Sequence, residues 1–224
     1  AYYAHPRGKK NQYVGFIQNG DTLKPSKSHG QYSLTFKPAS DGITFYLKPF
    51  FSDTSKIKPA LQYAASSLVI DRICGPVQKI NDTTFQLRFY RMGFLNPKRS
   101  NAIWLLAHNE GDERFKSAIQ QIELKFPIKN TEGISQHIDF EQISNQTTKV
   151  KSIDLRAKSS SNEPVHFYVK EGPAYVSGHQ LFFTKLPPKA NSPLKITVVA
   201  WQYGIAGKIQ SAQPVEKTFW LEKR

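Results

Sequence analysis

The stretch "AWQYGIAGKIQSAQPVEKTF", residues 200–219, contains a strand-like run, a glycine turn and a second strand-like run. A looser copy of it, "AHNEGDERFKSAIQQIEL", stands at residues 107–124. Internal similarity at a fixed offset is the sequence signature of repeated modules, so two homologous modules are predicted. The matched residues are Ile103, Ala107, Gly111, Ser117 and Ala118 in the first copy, and Ile196, Ala200, Gly204, Ser211 and Ala212 in the second.

The similarity continues upstream of these strands. "CGPVQKINDTTFQLRF" at residues 74–89 resembles "EGPAYVSGHQLFF" at residues 171–183, and the first copy is longer in the loop-like segment "YRMGFLNPKRSN". Pro and Gly flank polar residues in "FPIKNTEG", residues 126–133, which favours a boundary there. The predicted organisation is an extended N-terminal arm over residues 1–30 with one strand at Tyr13 to Ile17, a first module over residues 31–127 and a second over residues 128–224.

Apolar and polar residues alternate through both modules, as in Ile43, Phe45 and Leu47, which are separated by Thr44 and Tyr46. Period two predicts strands with one buried face. About seven short strands per module favour an all-β fold of two tandem immunoglobulin-like β-sandwich modules. The segment "DERFKSAIQQIEL" is the one helix candidate, and Pro214 in the aligned copy argues against it, because proline breaks a helix interior.

The chain carries 31 Lys and Arg against 17 Asp and Glu, a formal net charge of +14. This excess suits an acidic partner such as a polyanionic glycan, and it is equally compatible with a merely soluble basic protein. Nucleic acid is disfavoured, because no stacking platform or groove-reading helix is recognisable. No apolar run is long enough for a membrane span. Cys74 is the single cysteine, which excludes an intramolecular disulfide, and is expected to be a small buried side chain.

The second copy also carries a family pattern. It opens with "LRAKSSSNEPV" and continues through "EGPAYVSG", "ITVVAWQYG" and "SAQPVEKTF". In these motifs it resembles the bacterial immunoglobulin-like repeats over residues 152–221. The first copy has a longer opening segment and keeps only part of the pattern, namely Gly75, Pro76, Ala107, Gly111 and Ala118. The resemblance implies a secreted multidomain protein, with such repeats standing on the C-terminal side of polysaccharide-degrading enzymes of Bacteroidota and their relatives.

Two aromatic residues are candidate ligand contacts. Trp201 and Tyr203 share strand parity with Lys195 and Thr197, so they are predicted to point away from the core, where their rings would stack on sugars. The alternative is that they cover the sandwich edge or pack on the other module.

The long loop of the first module supplies the other candidates, Tyr90, Arg91, Lys98 and Arg99, which would bind anionic sugar groups through charge-assisted hydrogen bonds. A solvated basic loop is the alternative. The acidic segment "NEGDER", residues 109–114, is interpreted as a solvated turn and not as a calcium loop, since it lacks the spacing of a known motif. No metal, cofactor or catalytic residue is predicted.

These observations favour a non-catalytic accessory or spacer region of a secreted or cell-surface bacterial carbohydrate-active protein, periplasmic or extracellular. Its expected partners are an acidic polysaccharide and a catalytic module in the same polypeptide. Two alternatives remain open: an adhesin or surface-assembly segment that binds a protein, and a small β-rich glycan hydrolase.

Overall fold

A computed structural model describes residues 8–26, 31–53, 58–91, 93–98 and 100–223. Every regular element in these ranges is a β-strand, so the predicted all-β class is confirmed. The chain divides into two compact units. The first comprises residues 1–39, 43–88 and 100–126, and the second comprises residues 40–42, 89–99 and 127–224. Within the described ranges, no helix has the length and apolar character that a membrane span requires.

The described residues of the first unit form eleven strand segments, which pair as two layers. One layer has the order β3, β11, β10, β7, with β3 parallel to β11. In the other, β5 pairs with β1, and β4, one residue before β5, pairs with β9. The segments are β1 (Tyr13–Gln18), β2 (Asp21–Thr22), β3 (Tyr32–Thr35), β4 (Thr44–Tyr46), β5 (Lys48–Asp53), β6 (Lys58–Pro59), β7 (Val69–Cys74), β8 (Val77–Lys79), β9 (Thr84–Leu87), β10 (Ala102–Asn109) and β11 (Ala118–Lys125).

The second unit repeats this plan. One layer has the order β13, β20, β19, β16, with β13 parallel to β20, and in the other β15 pairs with β12 while β14 pairs with β18. The segments are β12 (Ile138–Phe140), β13 (Gln146–Thr147), β14 (Ser152–Asp154), β15 (Ala157–Ser159), β16 (His166–Glu171), β17 (Ala174–Ser177), β18 (Gln180–Phe183), β19 (Leu194–Trp201) and β20 (Val215–Glu222).

When the split segments β14 and β15 are counted as one strand, the second unit has the strand neighbours of a constant-type immunoglobulin sandwich. The first unit has the same neighbours when β4 and β5 are joined. The predicted pair of immunoglobulin-like sandwiches is therefore confirmed. The helix candidate is β11, which pairs with β10 along its whole length from Ala118 to Lys125.

The alternation of apolar and polar residues explains which side chains are buried in the cores of the two units. Ile43, Phe45 and Leu47 are each at most 3% exposed, while Tyr46 between them is 46% exposed. Both layers of the second unit contribute to one apolar cluster, and burial of each large side chain contributes about 1.5–3 kcal/mol. Its members include Phe140, Phe167, Leu181, Ile196, Phe219 and Leu221. Cys74 does not follow its prediction, since it is exposed at the end of β7.

The structure differs from the predicted boundaries in two places. The strand predicted within the arm is β1, but it belongs to the first unit and pairs with β5, because Val14 and Phe16 supply a buried face to the first core. Residues 89–99, assigned to the first module, belong to the second unit, because Phe89 and Phe94 pack there.

Candidate functional site

Trp201 and Tyr203 do not present their rings to solvent, as stacking on a sugar would require; they are packed against other residues, as in the alternative drawn from the sequence. Trp201 is 2% exposed and Tyr203 is 1% exposed. Their strand parity is as predicted, but the outer face of β19 is covered by Phe89 and Phe94 of the same unit. Neither ring has a free face for a sugar.

The four rings form an aromatic cluster in the second unit. Phe89 meets Trp201 edge to face with centroids 4.7 Å apart, and Phe94 lies 5.8 Å from Tyr203. His166 stacks on Trp201 at 4.8 Å. Such pairs contribute about 0.5–1.5 kcal/mol each beyond the area they bury. Among the described residues, Trp201 Nε1 has no hydrogen-bond partner, so the indole contributes packing area and no polar contact.

Tyr203 also fixes the chain at the start of the second unit. Its hydroxyl donates to the carbonyl oxygen of Pro127, and its own carbonyl accepts hydrogen bonds from Asn130 Nδ2 at 3.0 Å and from the Ser211 hydroxyl. Tyr203 therefore holds the segment "FPIKN" to the loop that follows β19. This is a structural role for a residue that the sequence offered as a ligand contact.

Gln202, between the two aromatic residues, is 2% exposed and organises the same loop. Its Oε1 accepts hydrogen bonds from Gln136 Nε2 at 3.0 Å and from the backbone N–H of Gly204. Gln136 Nε2 also donates to the carbonyl of Gln210 at 2.6 Å, and its Oε1 accepts from Ser161. Because buried amides without partners are costly, this satisfied pair holds the loop in one conformation.

The first unit contains the same arrangement. Gln12 Nε2 donates to Asn109 Oδ1 at 2.9 Å and to the carbonyl of Lys116 at 2.8 Å, and the backbone N–H of Gly111 donates to Asn109 Oδ1 at 2.8 Å. Gln12 Oε1 accepts from the N–H of Ala64 at 3.1 Å. We call each set, Gln12 with Asn109 and Gln136 with Gln202, an amide pair.

Sequence reasoning did not find the amide pairs. The signal for them is "QYVGF" at residues 12–16, which matches "QHIDF" at residues 136–140 in its Gln, β-branched and Phe positions. Phe16 and Phe140 are both buried strand residues. This match places the start of the first sandwich near residue 10. An isolated parallel β-bridge between Lys10 and Phe115 in the first unit corresponds there to one between Ile134 and Ile209 in the second.

The basic loop presents its charged side chains to solvent. Tyr90 is 44% exposed, and Arg91 and Lys98 are exposed as well, while Phe94 between them is buried. Arg99, the fourth predicted residue, lies outside the described residues. The Lys98 N–H donates to Asn96 Oδ1 at 2.9 Å, which fixes the turn that carries it. The loop therefore combines an inward aromatic anchor with outward basic groups.

The acidic segment forms a turn held by Asp112. Its Oδ1 accepts the N–H groups of Arg114 at 2.8 Å and Phe115 at 2.9 Å, and its Oδ2 accepts that of Ala65 at 3.2 Å. Partial desolvation raises the pKa of the Asp112 carboxyl, but these three hydrogen bonds and the Arg114 charge outweigh it and lower the pKa below its ordinary value. Among the described residues, no group of three metal-ligating side chains is close enough to hold an ion.

No protein-family model matches the sequence, and no curated protein matches it. Among solved structures, the chain is similar to two forms of human protocadherin-24 EC1-2. The first form is 9% identical and the match covers 93% of this chain and 99% of that chain, with a TM-score of 0.31. The second form is 8% identical and the match covers 94% of this chain and 98% of that chain, with a TM-score of 0.32. It is also similar to Drosophila N-cadherin EC1-4 at 10% identity, covering 97% of this chain and 50% of that chain with a TM-score of 0.29. The immunoglobulin-like assignment rests on the strand pairing within each unit.

Proposed function

We propose that this chain is a non-catalytic accessory or spacer region of a secreted bacterial carbohydrate-active protein, and that it contacts acidic polysaccharide. The observation that carries the proposal is that one sandwich is built twice with the same loop frame. In each unit an amide pair joins the segment just before the first strand to the end of another strand. That end is the last residue of β10 in the first unit and the residue after β19 in the second. A duplicated, internally fixed module suits a role in spacing and presentation.

Three of the side chains that the sequence offered for chemistry have structural roles, which supports a scaffold role. Trp201 and Tyr203 are packed in the aromatic cluster, and Asp112 ties a turn through backbone hydrogen bonds. The net charge of +14 and the exposed Arg91 and Lys98 support attraction to polyanions. The resemblance to bacterial repeats supports a catalytic module elsewhere in the same polypeptide and a location outside the cytoplasm.

Affinity electrophoresis and a hydrolysis assay on the purified chain test this proposal together. In gels that contain polygalacturonate or dextran sulfate, we expect the chain to be retarded, and we expect no retardation in neutral dextran. No reducing sugar should be released from any of these polymers. Retention of the chain should weaken as salt rises from about 0.05 to about 0.5 M, because the screening length shortens about threefold.

Two results would overturn the proposal. Turnover that survives purification and is abolished by changing one carboxylate would make the chain an enzyme. Equal migration in acidic, neutral and polymer-free gels would remove the polysaccharide contact.

A further inference from the structure

The second unit contains a cavity of about 490 Å³ at the end of the sandwich where β20 finishes. This volume lies within the range of about 300–1,000 Å³ that small-molecule sites occupy. Tyr175 and Phe182 stand on the neighbouring strands β17 and β18, and Leu221 forms an apolar part of the wall. Of the site residues predicted from the sequence, none that the structure describes lines it.

The polar lining of this cavity is basic. The wall contains three lysines, Lys151, Lys185 and Lys223. Its described lining contains no Asp or Glu side chain. Lys223 Nζ donates to the carbonyl of Pro188 at 2.7 Å, which holds it in place. Within the described ranges, no carboxylate pairs with Lys151 or Lys185, and both are exposed. Three cations with no anion in the wall favour an anionic ligand.

One aromatic face completes the cavity. Tyr175 is 54% exposed and stacks on Phe182, with ring centroids 5.3 Å apart and planes inclined by 15°. Phe182 supports the Tyr175 ring by stacking, and the exposure of Tyr175 leaves much of this residue accessible to a ligand. A supported, accessible aromatic face suits the apolar C–H face of a sugar ring.

The walls are held by backbone hydrogen bonds. The N–H of Phe183 donates to the carbonyl of Lys151 at 3.2 Å, and that of Thr184 donates to the carbonyl of Pro173 at 2.9 Å. The N–H of Thr148 donates to the carbonyl of Glu222 at 2.9 Å. These bonds fix the backbone positions from which the lysines and the aromatic pair project, so binding requires little ordering of the main chain.

We propose that this cavity binds an anionic sugar residue, with the ring over Tyr175 and the carboxylate or sulfate held by Lys151 and Lys185. The inference rests on the proposed function for its ligand class, and it adds the site. An acidic saccharide fits better than a single-stranded nucleic acid, because stacking of successive bases needs a series of aromatic platforms along a basic groove. The described lining contains three aromatic residues, Tyr175, Phe182 and Phe183, and among them Tyr175 alone is exposed.

The test is affinity electrophoresis of the full chain on two matched pairs of polymers. Polygalacturonate is compared with its methyl ester, and dextran sulfate with dextran. The negative charge of the carboxylate or of the sulfate is thus eliminated while the sugar backbone is unchanged. We expect the double variant Lys151→Gln/Lys185→Gln to lose about tenfold in affinity for at least one acidic polymer, since two charge-assisted contacts are removed.

The control double variant is Lys58→Gln/Lys208→Gln, which removes the same net charge from exposed lysines outside the cavity. We expect it to lose less than about twofold, because it weakens only long-range attraction. Tyr175→Ala should weaken binding at both low and high salt, whereas Tyr46→Ala, a comparably exposed tyrosine of the first unit, should not. Thermal melting should be unchanged within about 2 °C for the lysine variants.

Equal losses in the two lysine double variants would overturn the inference and leave general charge attraction. If the unchanged chain binds acidic polymer and none of the cavity variants reduces that binding, the site is overturned and the proposed function stands. Absence of any retention of the unchanged chain would overturn both. Tighter, Tyr175-dependent binding of a single-stranded oligonucleotide would assign the cavity to nucleic acid and overturn the sugar assignment.

Discussion

Gln12 Nε2 donates to Asn109 Oδ1 at 2.9 Å, and this contact joins the residue just before β1 to the last residue of β10. Both side chains are buried, Gln12 at 8% and Asn109 at 3% exposure. Asn109 Nδ2 donates in turn to the carbonyl of Ser66 at 2.9 Å. One buried amide pair thus fixes three loops at one end of the first sandwich.

Gln12→Ala should destabilise the first unit by about 2–4 kcal/mol. The change leaves the Lys116 carbonyl and the Ala64 N–H without their side-chain partner, and each buried unsatisfied group costs about 1–3 kcal/mol. Gln213→Ala, at an exposed position, is the control and should cost less than about 0.5 kcal/mol. Urea denaturation with intrinsic fluorescence measures both, and equal midpoints would contradict the structural role of the pair.

Gly111→Ala should cost more than Gly207→Ala, although both glycines have positive φ, 79° and 72°. A Cβ at Gly111 would meet the carbonyl oxygen of Phe115 at 2.5 Å, whereas a Cβ at Gly207 has nothing within 4 Å. Gly207→Ala therefore reports the left-handed backbone alone, about 1–2 kcal/mol, and Gly111→Ala adds a collision with the main chain. Thermal melting of the two variants compares them, and a larger loss for Gly207→Ala would contradict this account.

Phe94→Ala should destabilise the second unit by about 3–5 kcal/mol, the usual cost of removing a buried aromatic side chain. Phe94 is 5% exposed and lies 6.0 Å from Trp201 by ring centroids. Its loss opens the indole to water, so the tryptophan emission should also shift to longer wavelength. Arg91→Ala, an exposed change in the same loop, should alter neither measurement, and an unshifted emission maximum in Phe94→Ala would contradict the packing role of residues 89–99.

Acid should destabilise the turn that Asp112 holds. The pKa of Asp112 is lower in the folded chain than in the unfolded chain, so the unfolded chain binds more protons between the two pKa values. The stabilisation is therefore complete above the unfolded pKa of about 4, and it is lost as the pH falls through the folded pKa.

Asp112→Ala should consequently lower the melting temperature at pH 6 and should show a smaller further loss between about pH 5 and pH 2 than the unchanged chain. Asp139→Ala, at an exposed carboxylate of β12, is the control. Parallel pH profiles for Asp112→Ala and the unchanged chain would show that the turn does not depend on the ionised carboxylate.

Some features of the fold could be predicted because they are local or repeated. The alternation at residues 43–47 fixes which side chains face the core, since successive strand residues point to opposite faces. The match of residues 103–118 to residues 196–212 predicted the duplicated hairpins β10–β11 and β19–β20. The strand at residues 13–17 was predicted, but its place in the first sandwich was not, because "QYVGF" stands much further from its partner strands than "QHIDF" does, so a single repeat offset does not align both.

The sequence by itself determined that the chain is built from strands, that two modules are present, and that Trp201 lies on the opposite face of β19 from Ile196 and Val198, with Tyr203 just beyond the end of that strand. Only the tertiary structure decided that this opposite face is buried, because Phe89 and Phe94 cover it. Strand parity specifies the direction of a side chain, whereas burial depends on which distant segment packs over it. The lysines reach the aromatic pair of the cavity for the same reason, since Lys151, the β17–β18 hairpin and the end of β20 are separated in sequence and become neighbours only in the folded sandwich.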